Sequence, residues 1–132
     1  MSIRVHFPGG KKVYAEVGKF TIQTDQPMRG GGEDSAPNPF ELFLASLGTC
    51  AGIFIKGFCD SRGLDSTGIE IFQDMEFSQT TGKMTKVIMR ISVPVTFPEQ
   101  YHEALIRSAS LCKVKEVLAN PPEFDIHTEL NI

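Results

Sequence analysis

Apolar residues recur at Phe40, Phe43, Leu44, Leu47, Ala51, Phe54, Ile55 and Phe58, the three-and-four spacing that lays one stripe along a helix. Between Phe40 and Phe58 the only charged side chains are Glu41 and Lys56, so most sides of this helix require cover. Asn38 suits the N-cap, Pro39 the first helical position, and Glu41 the place from which a capping-box carboxylate reaches back to the N-cap amide. Arg62 and Gly63 supply the stop, so the pattern predicts a helix of about 36 Å over residues 39–62.

On either side the period changes to two. Ile3, Val5 and Phe7 alternate with polar residues, Val13, Ala15 and Val17 do the same, and Pro8, Gly9 and Gly10 lie between them, which predicts a hairpin extended by a third strand from Phe20 to Thr24. On this reading His6 points to solvent from the outer face. After the helix, Ile69, Ile71, Met75 and Phe77 form one alternating run and Val87, Met89, Ile91, Val93 and Val95 another, a long hairpin whose greasy face asks for the helix as its partner layer. Pro98 opens a second helix through about Ala109 with Tyr101, Leu105, Ser108 and Ala109 on one side and His102 in solvent. Val114, Val117 and Leu118 predict a short helical piece before Asn120, Pro121 and Pro122. A last alternating run, Phe124 to Ile132, predicts a half-buried final strand with His127 on its polar face.

Strands, a long helix, a hairpin, short helices and a final strand make an α+β chain of one domain, 1–132. A helix apolar nearly all round is more than so short a chain covers alone, so a dimer in which two such helices pack together is expected. The segment Asp25 to Asn38, with three consecutive glycines and two prolines, reads as a loop, and Gly30 to Gly32 lack the Lys-Ser/Thr of a phosphate cradle. Arg29 is the one cation of that loop. It either folds back over the helix or stays in water, and the sequence favours water.

Composition changes this picture only by exclusion. An apolar fraction of 41% with 22% charged residues is that of a soluble globular protein, and a net charge of -3 with scattered cations argues against nucleic acid. Arg4, His6, Lys11 and Lys12 interrupt any signal-peptide region, and the apolar stretch Leu42 to Ile55 falls short of the roughly 20 residues of a membrane span. A cytoplasmic protein is expected. The three cysteines have neither zinc-site nor disulfide-framework spacing, which fits free thiols in a reducing compartment.

No nucleophile elbow, zincin motif or Cys with a local His signature is present, so hydrolase and metal readings have no support and two thiols in different settings remain. Glu41 and Cys59 each lie nine positions from Cys50, about 13 Å along the axis and on the opposite face, so neither reaches it within one subunit. If Cys50 pairs within its own chain, the partner is Cys112. Taken alone, Cys50 reads as a small core hydrophobe. Its position about three turns from the helix N-terminus makes reactivity depend on an imported cation.

The run Asn38-Pro39-Phe40-Glu41-Leu42-Phe43-Leu44-Ala45-Ser46-Leu47-Gly48-Thr49-Cys50, followed about sixty residues later by Leu111-Cys112-Lys113-Val114-Lys115, resembles the OsmC/Ohr family of osmotically inducible and organic-hydroperoxide-resistance proteins. The Gly30-Gly31-Gly32-Glu33-Asp34 loop resembles its OsmC-like branch. The resemblance implies the OsmC-like fold, two small antiparallel sheets around a long central helix in an intertwined homodimer. It also implies a thiol-dependent peroxidase for organic hydroperoxides or hydrogen peroxide. Cys50 would be the peroxidatic cysteine and Cys112 the resolving one, joined in a disulfide that an external dithiol reduces, without metal or organic cofactor. Arg29 would be the supporting arginine and Glu41 the supporting carboxylate. In the hydroperoxide-resistance branch the carboxylate directly follows the Pro, where this chain has Phe40, and the Pro that commonly follows the second cysteine is Lys113 here. The alternative is a non-catalytic dimer of the same fold that binds a small apolar ligand or senses oxidants. No nucleic-acid or membrane partner is expected.

Overall fold

In the computed structural model, which describes residues 1–131, the chain forms five strands and three α-helices of the expected α+β class. Strands β1 (Ile3–Gly9), β2 (Lys12–Val17) and β3 (Phe20–Thr24) make an antiparallel meander, with Val5 opposite Ala15 and Ala15 opposite Ile22. Helix α1 runs over Pro39–Ser61. Strands β4 (Glu70–Phe77) and β5 (Met84–Ser92) form a second antiparallel sheet, followed by α2 (His102–Ala109) and α3 (Lys113–Ala119). The chain divides into two compact units, residues 1–46 and residues 47 onward, with the boundary inside α1.

In the first unit the loop after β3 is organised by a carboxylate. Asp25 is almost wholly buried and accepts hydrogen bonds from the main-chain N–H of Gln26 (2.8 Å), Glu33 (3.3 Å) and Ser35 (3.2 Å) and from the Ser35 hydroxyl (2.6 Å). The Ser35 hydroxyl leads these donors in holding its pKa down, to about 2 against an ordinary 3.8. Gly32 is needed for this wrap, because a side chain there would collide with the Gln26 carbonyl 2.1 Å from its Cβ position. His6 departs from the solvent-facing expectation: it is half-buried, with Nε2 3.0 Å from a Glu16 carboxylate oxygen. The apolar residues of the same strand, Ile3, Val5 and Phe7, are the exposed ones, since nothing in their unit covers that side.

In the second unit, Leu47, Ala51, Ile55 and Cys59 are buried at intervals of four, one face of α1. Ile55 and Cys59 join Phe97 and Leu105 in a core flanked by Ile71 and Ile91, so the long hairpin does lay its apolar face on this part of the helix. The helix ends as a Schellman motif. Gly63 takes φ 63°, its N–H bonds to the Asp60 carbonyl at 3.3 Å, and the Leu64 N–H bonds to the Cys59 carbonyl at 2.9 Å. The expectation that the apolar stretch is too short for a membrane is corrected. As a helix it has 23 residues and a window of mean hydropathy 1.7, by length and composition long and apolar enough to span, because the apolar run continues past Lys56 through Gly57, Phe58 and Cys59. One face of it, Leu47, Ala51, Ile55 and Cys59, is buried.

The final strand does not form. Residues 121–131 have no regular structure and pair with none of β1 to β5, and Phe124, Ile126 and Leu130 are over 80% exposed. Period-two alternation specifies a strand only when an edge is there to receive it, and among the described residues none receives this one. Ile132 lies outside the described residues.

Candidate active site

Cys50 and Cys112 come together although 62 positions separate them. α1 fixes Cys50 half-buried, beside the Leu47–Ala51 face. Cys112 is the residue before α3, with an extended backbone (φ -56°, ψ 124°), and its side chain is buried with Sγ 4.0 Å from the Leu47 carbonyl oxygen. That placement follows from the break between α2 and α3. Ser110 closes α2 by bonding to the Ile106 and Arg107 carbonyls, and Cys112 then turns the chain into a new helix.

The first N–H groups of a helix have no partner inside it. Here two of them serve a sulfur. The main-chain N–H of Val114 is the largest influence lowering the Cys50 thiol below its ordinary value. The Cys112 side chain comes next, and the Lys113 N–H and Lys113 charge add to them, together outweighing the opposing effect of burial. Cys59 has the opposite fate. It is fully buried, and burial first, with the Asp60 charge second, pushes its thiol up.

Cys112 also lines a cavity of about 430 Å³ whose walls are mainly apolar, from Leu47, Val87, Met89, Ile106 and Leu118, with Ser110 and Lys115 as polar members. A Cys50 thiol held below its ordinary value, a second thiol close enough to contribute to that shift and an apolar cavity at Cys112 can support nucleophilic attack by sulfur followed by disulfide formation. Among the described residues no three His, Cys, Asp or Glu side chains gather as metal ligands.

The other two sequence candidates, Glu41 and Arg29, lie in the first unit. Glu41 completes the capping box, accepting from the Asn38 N–H at 3.1 Å while its own N–H donates to the Asn38 side-chain oxygen at 2.9 Å. Arg29 is exposed in a single 3-10 turn, Met28–Gly30, of the first unit. Sequence reasoning missed the Lys113 and Val114 amides. The signal was available, because a short helix opening just after Cys112 leaves its leading N–H groups unpaired.

Residues 31–127 match the family model described as OsmC-like protein, a span that contains Cys50, Cys112 and Glu41 and begins after Arg29. No curated protein matches the chain in sequence. Among solved structures, one from Psychrobacter arcticus, described as an osmotic stress induced and detoxification response protein, superposes with a TM-score of 0.74 at 19% identity, over 88% of this chain and 86% of that one. An OsmC organic hydroperoxide resistance protein of Legionella pneumophila gives 0.57 at 20% identity over 89% and 87%, and the organic hydroperoxide resistance protein OhrB of Bacillus subtilis 0.54 at 18% over 91% and 93%. At these identities the likeness is one of fold.

Proposed function

The chain belongs to the OsmC-like protein family, and on that premise we propose that it is a cysteine-based peroxidase acting on organic hydroperoxides. One observation carries the reading: Cys50 is shifted toward its thiolate with Cys112 directly beside it. The Cys50 thiolate attacks the O–O bond of ROOH. Sulfur takes up one oxygen as a sulfenic acid, the O–O bond breaks with its electron pair on the departing alkoxide, and RO⁻ gains a proton to leave as ROH. The Cys112 sulfur then attacks the sulfenic sulfur, water leaves, and a Cys50–Cys112 disulfide forms, which an external dithiol reduces by exchange. The apolar cavity at Cys112 favours an organic peroxide over hydrogen peroxide, whose small polar body gains nothing from such walls.

We propose further that the working form is a cytoplasmic homodimer. Exposed Ile3, Val5, Phe7 and Phe20 in the first unit and Ile53, Ile106, Val117 and the Phe124 to Leu130 tail in the second are the apolar surface a second copy would cover. Three free thiols suit a reducing compartment. The same cavity favours a second reading, a non-catalytic dimer that holds a small apolar ligand.

Steady-state reduction of cumene hydroperoxide with dithiothreitol separates the two. The expected result is turnover that falls by about a thousandfold or more in Cys50→Ser. Turnover of the native chain no higher than that of the variant sinks the enzyme reading.

A further inference from the structure

Val87, Met89 and Ile91 alternate along β5, so their side chains share one face of the hairpin. All three line the cavity of about 430 Å³ that Cys112 also borders. Met89 and Ile91 border a second, smaller cavity of about 240 Å³ as well, beside His102 and Leu105. Met89 is half-buried, and among the described residues it is the one sulfur besides Cys112 on these walls. The other methionines stand in different settings. Met1 and Met28 are exposed, while Met75 and Met84 belong to the hairpin without lining either cavity, and the Met75 sulfur accepts a hydrogen bond from the Gln73 side-chain amide at 3.7 Å.

We propose that Met89 is an oxidation site of this cavity: an organic hydroperoxide held there passes an oxygen to the Met89 thioether, and the resulting sulfoxide makes the wall polar and weakens its hold on further hydroperoxide. The inference rests on the cavity accepting organic hydroperoxides, as proposed above, and adds a second sulfur that consumes them. The thioether sulfur gives a lone pair to the terminal oxygen of ROOH, and the O–O bond breaks with its electron pair on the departing alkoxide. The hydroperoxide's own proton passes to that alkoxide, so ROH leaves, the sulfur is oxidised by two electrons and the peroxide is reduced by two. One molecule confined to 430 Å³ is at an effective concentration of about 4 M, so a sluggish nucleophile on the wall reacts ahead of methionines that meet the oxidant in water. Hydrogen peroxide gains no such advantage from apolar walls.

The chemical change at this position is large. A thioether packs as an apolar group, whereas a sulfoxide carries a strong dipole and a polar oxygen. Set among Leu47, Val87 and Leu118, that oxygen keeps water on a wall that an apolar ligand would otherwise cover. A sulfoxide returns to the thioether through a methionine sulfoxide reductase and not through dithiol exchange, so the mark outlasts each disulfide cycle of the cysteines. Met89 therefore records exposure to more organic hydroperoxide than the thiols remove.

The test uses the full-length Cys50→Ser chain, in which the attacking thiol cannot consume the oxidant. Parallel samples receive equal concentrations of cumene hydroperoxide or hydrogen peroxide, and sulfoxide at each methionine is read by peptide mass spectrometry. The ratio of Met89 to Met28 oxidation should be about tenfold or more higher with cumene hydroperoxide. Equal ratios with the two oxidants overturn the proposal. Binding of cumyl alcohol, the unreactive product, is then followed by ligand-observed NMR, and prior oxidation should weaken it about threefold or more. Adding Met89→Leu keeps the side-chain volume without the sulfur, so the same treatment should leave that variant's affinity for the alcohol where it was. A loss as large as that of its parent overturns the role of Met89. Both readouts require only that the cavity holds the hydroperoxide. Turnover by the native chain with equal oxidation ratios removes Met89 and keeps the peroxidase reading, whereas a raised ratio without turnover does the reverse.

Discussion

Cys50 and Cys59 occupy the same helix, nine residues apart, in a sequence that surrounds both with apolar neighbours, and their thiols are pushed in opposite directions. Cys59 is wrapped by Ile55, Phe97 and Leu105, with Leu64 closing the Schellman turn over it, and no main-chain donor acts on its sulfur to offset burial. Cys50 is less buried and meets the leading amides of α3 and a second thiol. Helix position and hydrophobicity do not distinguish them. What distinguishes them is whether another segment brings unpaired donors to the sulfur, and that is a property of tertiary structure.

The contrast is broken most directly by a reagent that reads thiolates. In the native chain at neutral pH, iodoacetamide should modify Cys50 at least about a hundredfold faster than Cys59, because the first has the larger thiolate fraction and the greater access. The profile for Cys50 should rise at lower pH than that of a free thiol, since a lowered value means the charged form persists further into acid. In denaturant the two rates should converge. Equal rates in the folded chain would erase the distinction on which the site rests.

Much of what frames this contrast can be read in the residues. Asn38, Pro39 and Glu41 announce the start of α1 and Arg62 with Gly63 its end, because caps are local hydrogen-bonding devices with local sequence requirements. The strand runs of both sheets are legible through their period of two, although β5 ends at Ser92 and Val93 and Val95 of the predicted run lie beyond it. The Phe124 to Ile132 run shows the limit of that reasoning, since an alternating segment states a willingness to pair and not a partner. His6 marks the same limit, as the polar side of β1 was read as the wet one and the apolar side is the more exposed. For the site, Cys50 and Cys112 were visible as candidates. The order of influences on Cys50 was not, because an amide at Val114 carries no side-chain signature and its effect depends on where α2 stops and α3 begins.

A second experiment sharpens the comparison from the inert side. Cys59→Ser should lower stability by about 2 kcal/mol, measured by urea denaturation, because it places a hydroxyl among Ile55, Phe97 and Leu105 in place of a weakly polar sulfur. The rate of Cys50 alkylation should stay within about twofold of native. A large fall in that rate would mean that Cys59 shapes the site and is not only a packing residue.

The smallest effect probes how far the Cys59 end of α1 is insulated from the Cys50 region. Gly63 holds φ 63° with open space at its Cβ position, so the cost of Gly63→Ala is purely that of a left-handed backbone for an L-residue, about 1 kcal/mol. The carbonyl that receives the Leu64 N–H belongs to Cys59, and loosening this turn therefore loosens the wrapping of the Cys59 thiol. Hydrogen exchange should show faster exchange at Gly63 and Leu64, unchanged protection at Lys113 and Val114, and an unchanged alkylation rate at Cys50. If protection at Val114 falls as well, the two ends of the helix open as one cooperative unit, and the separation of an inert thiol from a reactive one depends on the stability of the whole unit and not on the local donors alone.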